Sequence, residues 1–177
     1  MKKYLEAIVL CDLANAIGRD GDQPYYINGD LKQFKERTMG HVMIAGRKTL
    51  ATFPQGQGLK GRVNLILSSS AQDQDIDPER PTICFDSLDS LLETAEAIRK
   101  EYPEKKFFVL GGSSVYEQAM PYTSKVYLTR VNAYAKDPDR FFPDMEELGF
   151  HLEEAGEWLY DPQNRIYYRY ELWLTGS

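Results

Sequence analysis

The stretch Lys106-Phe107-Phe108-Val109-Leu110-Gly111-Gly112-Ser113-Ser114-Val115-Tyr116 decides the fold class. Lys106 to Leu110 reads as a short buried strand. Two glycines then break the run, and a helix starts near Ser114. A strand that turns through glycine into a helix is half of a β–α–β unit, whose strands lie parallel. The same order recurs outward in both directions. His41 to Ala45 is a strand, and Gly46-Arg47-Lys48-Thr49 opens a helix. Arg62 to Ser68 is a strand ending in Ser68-Ser69-Ser70, and Pro81 to Cys84 is a brief one. Ser87 to Tyr102 is a helix with Ser87 as N-cap, Asp89 in the first turn and an apolar stripe of Leu91, Leu92, Ala95 and Ile98. Upstream, Tyr4 to Cys11 reads as a buried strand. Asp30 to Met39 reads as a short helix with Leu31, Phe34 and Lys35 at i, i+3, i+4. Downstream, Lys125 to Val131 is a strand. His151 to Tyr160 and Arg165 to Leu174 form a hairpin around Asp161-Pro162-Gln163-Asn164. In its second arm Ile166, Tyr168, Tyr170, Leu172 and Leu174 share one face, and Arg165, Tyr167, Arg169, Glu171 and Trp173 the other. The expected architecture is α/β: one domain over residues 1–177, with a mainly parallel central sheet of about eight strands, flanking helices and an antiparallel C-terminal hairpin.

Composition agrees with an ordinary globular domain. The chain has 177 residues, 42% hydrophobic and 27% charged, and that length is enough for a core without covalent staples. Its net charge of −6 argues against nucleic acid or an anionic membrane as the main partner. Cys11 and Cys84 cannot make a disulfide framework and read as buried thiols of a reducing compartment. His41 and His151 lack neighbours at ligand spacing, so no metal is expected. No apolar run is long enough to span a bilayer, and no signal peptide is legible. A cytoplasmic protein is expected, with monomer as the default state.

In parallel sheets ligands bind at the carboxyl ends of strands. Three such ends carry phosphate-compatible groups: Gly46 to Thr49, Gly111 to Tyr116, and the serines from Ser68. Each alone has a plain reading, as a helix start, a tight turn or a loop. Together they point to a dinucleotide with several phosphates. Neither G-x-G-x-x-G nor a Walker loop is present. Asp30 stands at the mouth of the first helix. Aspartate there commonly caps the helix. Facing a cleft with Leu31 and Phe34, it could instead hydrogen-bond a flat, N–H-rich heterocycle and help deliver a proton.

Read in order, Ala7-Ile8-Val9-Leu10-Cys11-Asp12, Ala16-Ile17-Gly18, Pro24, Asp30-Leu31, Phe34-Lys35, Thr38, Gly46-Arg47-Lys48-Thr49, Gly61-Arg62, Gly111-Gly112, Val115-Tyr116-Glu117, Tyr127-Leu128-Thr129 and Phe142-Pro143-Asp144 resemble dihydrofolate reductase of the bacterial chromosomal type. The resemblance implies reduction of 7,8-dihydrofolate to tetrahydrofolate with NADPH. It makes Asp30 the acidic residue under the pterin, supported by Thr129, with Tyr25 in the same catalytic group. Ile8, Leu31, Phe34, Lys35, Phe53, Leu59 and Leu110 would surround the substrate. Arg62 would clamp the glutamate α-carboxylate through its bidentate fork. Leu10, Ala16, Ile17 and Gly18 would line the nicotinamide. Gly46, Arg47, Lys48, Thr49, Gly111, Gly112, Ser113, Ser114, Val115 and Tyr116 would meet the phosphates, and Arg47 with Ser68 and Ser69 the 2′-phosphate. The resemblance also implies a cis Gly111–Gly112 bond and a mobile lid over residues 18–24.

Three positions depart from the family pattern. Tyr25 replaces a common tryptophan, Gln23 replaces leucine or methionine, and Ser114 replaces an arginine that some members carry. Two rival readings are a riboflavin-pathway pyrimidine reductase of the same fold and a non-catalytic nucleotide-binding module. Asp30 at a helix mouth and Arg62 after the loop favour folate over the first. Asp30, Thr129 and the Gly-Gly turn together argue against the second.

Overall fold

A computed structural model describes residues 2–18, 23–69 and 77–176. Residues 19–22 of the expected lid, and Ser70, lie outside them. In chain order the elements are β1 (Leu5–Cys11), β2 (Ala16–Gly18), α1 (Asn28–Thr38), β3 (Val42–Gly46), α2 (Arg47–Ala51), β4 (Val63–Leu67), β5 (Thr82–Phe85) and α3 (Leu88–Glu101), followed by β6 (Phe107–Val109), α4 (Ser113–Ala119), β7 (Thr123–Val131), β8 (Arg140–Phe141), β9 (Phe150–Ala155), β10 (Leu159–Asp161) and β11 (Ile166–Thr175). They fall into two compact units, residues 38–120 and residues 1–37 with 121–177.

In the first of these units the strand order is β6-β3-β4-β5, and every pairing is parallel. The sheet is apolar on both sides, as parallel strands covered by helices should be: Val42, Met43, Ile44, Leu65, Ile66, Phe107, Phe108 and Val109 are each at most 1% exposed. The glycine-turn reading of residues 106–116 is what the chain does, and the Gly111–Gly112 bond is cis. Ser87 caps α3, its Oγ accepting from the Ser90 N–H at 3.2 Å.

In the other unit β1 pairs β7 in parallel, and β11 pairs β7 antiparallel. The first arm of the expected hairpin is split: β9 and β10 each pair β11, with Gly156 to Trp158 between them. β2 and β8 pair separately. These two- and three-residue strands leave no periodic trace in the sequence, and only their partner reveals them. The register places Ile8, Leu10, Tyr127, Thr129, Tyr168, Tyr170 and Leu172 on one face, where Leu10, Ile27, Val131 and Tyr168 form a core cluster.

The opposite face of β11 holds a buried charge network. Glu171 is 4% exposed. It accepts from Arg130 Nη2 at 3.2 Å, Arg169 Nε at 3.0 Å and Trp173 Nε1 at 3.0 Å. Burial alone would raise its pKa. The hydrogen bonds from Arg130, Trp173 and Arg169 outweigh burial and hold it below the ordinary glutamate value. Its stabilising contribution is therefore complete above that ordinary range and fades as pH falls through its lowered pKa. Glu171→Leu leaves Arg130 charged and largely buried. It should cost about 3–5 kcal/mol, read from urea unfolding at pH 7.

Two expectations change here. The helix α1 starts at Asn28, not Asp30. Asn28 and Gly29 disfavour helix interiors, but the Leu31 N–H bonds to the Ile27 carbonyl at 3.0 Å and opens the helix there. Asp30 is thus inside the first turn. Cys84 is partly exposed rather than buried, whereas Cys11 is buried, which pushes its thiol up to about 12.

Candidate functional site

Helix α1 lies on the sheet face that carries Thr129. Gly29 permits this approach: a Cβ there would come within 2.5 Å of the Tyr168 hydroxyl. The next residue, Asp30, turns its carboxylate to the strand rather than to its own helix end. Thr129 Oγ1 donates to Asp30 Oδ1 in a short hydrogen bond. Burial raises the Asp30 pKa above the ordinary carboxylate value, while the Thr129 hydroxyl and the Arg37 charge pull it back in part. A cavity of about 310 Å³ opens beside this pair, lined by Ile8, Phe34, Tyr127 and Tyr170 among others. A carboxylate with a raised proton affinity, an orienting hydroxyl and apolar walls can bind the N–H edge of a flat heterocycle and manage one proton.

Of the expected substrate residues in this unit, Ile8, Phe34, Asp30 and Thr129 line the cavity. Leu31 does not: it is 38% exposed, one residue and about 100° round the helix from Asp30. Lys35 is exposed on the same side. Tyr25 packs against the Leu10–Ile27 cluster, and its hydroxyl is pushed up by burial and by Asp12. Gln23 Nε2 donates to the Tyr25 carbonyl at 2.8 Å. Leu10 and Ala16 are buried at 7% and 0% exposure, so their side chains serve the core. Ile17 is half-buried, and Gly18 ends β2. Gln33, Arg37 and Tyr170 also line the cavity, and the sequence reading passed them over. Their signal was present. Gln33 and Arg37 follow Asp30 at i+3 and i+7, and Tyr170 is the register partner of Thr129.

In residues 38–120 the expected phosphate groups gather at one sheet edge. The Gly46 N–H donates to the Gly111 carbonyl at 2.7 Å, joining the ends of β3 and β6. Gly46 pairs with Leu67, so Arg47 and Ser68 follow adjacent strand ends. Arg47, Lys48 and Ser69 are exposed, Thr49, Gly112 and Ser113 are intermediate, and Ser68 is buried with its N–H on the Phe85 carbonyl at 2.8 Å. Ser114 is exposed, while Val115 and Tyr116 are buried. Helices α2 and α4 have five and seven residues, too short for a large dipole. Closeness must come from glycine. A Cβ on Gly46 would meet Val115 at 3.1 Å, and one on Gly111, whose φ is +115°, the Tyr116 ring at 3.1 Å. A cradle that a side chain would fill, beside two cations and several hydroxyls, fits a dinucleotide polyphosphate.

Arg62 sits elsewhere in the same unit, 6% exposed. Its Nε donates to Thr38 Oγ1 at 3.0 Å and its Nη1 to the Lys60 carbonyl at 2.6 Å. It lines a cavity of about 190 Å³ with Gly40, His41, Gly61 and Lys105. Leu59 is tied to Asn64, its N–H donating to Asn64 Oδ1 at 2.9 Å. Phe53 and Leu110 are half-buried, the Leu110 N–H bonding to the Ile44 carbonyl at 2.9 Å.

These features define an α/β protein with a carboxylate–hydroxyl pair beside a cavity and a glycine-lined sheet edge flanked by cations and hydroxyls. The dihydrofolate reductase family model matches residues 4–174. The chain is similar to a dihydrofolate reductase of Bacillus subtilis, 30% identical over 92% of this chain and 89% of that one. A dihydrofolate reductase of Mycobacterium leprae is 33% identical over 81% of each chain, and one of Haemophilus influenzae is 30% identical over 89% of this chain and 90% of its own. The chain belongs to the dihydrofolate reductase family, a family of α/β oxidoreductases.

Proposed function

We infer that this chain reduces 7,8-dihydrofolate to tetrahydrofolate with NADPH and so feeds one-carbon metabolism. The observation that carries this reading is the Asp30 carboxylate, held by Thr129 in a recess walled on one side by Ile8 and Phe34. Asp30 accepts hydrogen bonds from the pterin 2-amino group and N3. Through the bound ring and a water it raises the proton affinity at N5. Thr129 fixes the carboxylate's orientation by donating to it. Phe34 and Ile8 give the ring apolar walls, and Leu31, exposed on α1, is a further surface for it to cover. Arg62 takes the glutamate α-carboxylate. Gly46, Gly111 and Gly112 bring backbone against the pyrophosphate. Arg47, Ser68 and Ser69 hold the 2′-phosphate, which selects NADPH over NADH. When bound, the nicotinamide supplies a hydride for C6 of the pterin. The protein's own part is alignment, exclusion of water and proton management.

Residues 1–177 act as one functional domain, in accord with a family match that runs nearly end to end. The chain is read as a monomer of the cytoplasm. Among the described residues no helix is long and apolar enough to cross a membrane. The test is a steady-state assay of dihydrofolate with NADPH and with NADH, beside a ribosylated pyrimidine. NADPH-dependent loss of dihydrofolate absorbance is expected, and turnover of the pyrimidine alone would overturn the reading. Gly111→Ala adds a methyl group where φ is already +115° and the Tyr116 ring is close. It should raise the Kd for NADPH about tenfold or more, from strain of about 1–3 kcal/mol, with dihydrofolate affinity little changed.

A further inference from the structure

The cavity beside Asp30 has one half-buried wall group with no assigned task. Its volume of about 310 Å³ has room for about ten waters at liquid density. Its polar wall groups are mostly engaged. Asp30 is held by Thr129. The Tyr127 hydroxyl donates to Glu6 Oε1 at 2.8 Å, and Arg37 lies 3.9 Å over the Tyr127 ring. The Tyr170 ring packs edge-on against the Tyr168 ring, 5.8 Å between centroids, and Glu171 takes Arg130, Arg169 and Trp173. Gln33 is different. Its amide makes no hydrogen bond to any described residue, yet it is half-buried and lines the cavity. It stands one helical turn after Asp30, where Cβ atoms lie about 5–6 Å apart. An amide carries two donors and an acceptor oxygen, so across the cavity one water can bridge it to the carboxylate.

We propose that Gln33 is a positioning residue for Asp30: its amide holds solvent against the cavity side of the carboxyl, and this hydration sets the pH at which Asp30 takes up its proton. The proposal rests on the reading of Asp30 as the group that manages the proton. The charged and titratable groups around the cavity beside Asp30 are Arg37 from α1, Tyr127 from β7, with Glu6 of β1 behind it, Tyr170 from β11 and Glu154 from β9, while Glu171 on the opposite face of β11 is tied to Arg130, Arg169 and Trp173. Arg37 favours the ionised carboxyl, from two helical turns further on. Loss of water is the largest cause of the raised Asp30 pKa, so a side chain that retains water is the effective control on it.

The test is carbon-13 NMR titration of aspartate-labelled, ligand-free full-length protein, with the Asp30 resonance assigned through Asp30→Asn. In Gln33→Leu the midpoint should move to higher pH. The ratio of ionised to protonated Asp30 at fixed pH should fall by about threefold or more, half a pH unit or more on the titration scale. Gln33→Met, equally unbranched and uncharged, should do the same. Gln33→Asn keeps an amide and should stay near wild type. An unchanged or lowered midpoint in the folded Leu and Met variants would overturn the proposal, as would an Asn variant that shifts as far as they do. No substrate enters this measurement. An inactive chain with shifted titrations would sink the functional reading and leave the hydration role standing.

Discussion

Asp30→Asn is expected to lower kcat with dihydrofolate and NADPH at pH 7 by about 10²–10⁴-fold, the usual worth of a positioned acid–base group. The loss should shrink as pH falls, because solvent protons then replace the missing route to N5. The same substitution should stabilise the fold. Burial raises the Asp30 pKa, so the folded state binds this proton more tightly than the unfolded chain. Stability from this group is full below the ordinary carboxylate value and is lost as pH rises through the raised one. Asparagine never ionises and can still accept from Thr129. The gain in Tm should therefore be near zero in acid and reach its plateau above the Asp30 pKa, at about 2–4 °C for each kcal/mol relieved. Turnover near wild type by Asp30→Asn at pH 7 would remove the assigned role.

Arg62→Leu is the second large effect. Its guanidinium is buried, with two of its donor groups bound to Thr38 and Lys60, which fixes the plane of the fork. On the proposed reading Arg62 pairs with the substrate α-carboxylate, and removing one member of such a buried pair costs about 2–5 kcal/mol. KM for dihydrofolate should rise about 30-fold or more, while kcat at saturation holds, since that carboxylate takes no part in the hydride step. A dihydropterin without the glutamate should be used equally by both proteins. Arg62→Lys should recover little, because an ammonium cannot form two parallel hydrogen bonds. An unchanged KM would show that the carboxylate goes elsewhere.

Legibility in the sequence followed the range of the forces involved. β1, β7 and the apolar stripe of α3 were readable because their patterns repeat over seven residues or more, and Ser87 declares its cap locally. The strand ends at Gly46, Ser68 and Gly111 were readable because small residues punctuate chain direction. The start of α1 was misplaced because Asn28 and Gly29 are poor helix formers that tertiary contact overrides. The burial of Glu171 on the polar-looking face of β11 depends on Arg130, 41 residues away. Gln33 was legible only through its i+3 spacing from Asp30.

The glycine at position 29 has an evolutionary corollary. A Cβ there would lie 2.5 Å from the Tyr168 hydroxyl, so either that buried ring or α1 with Asp30 has to shift to make room. Selection for function should therefore hold residue 29 to glycine, and a deep mutational scan should show an intolerant column there.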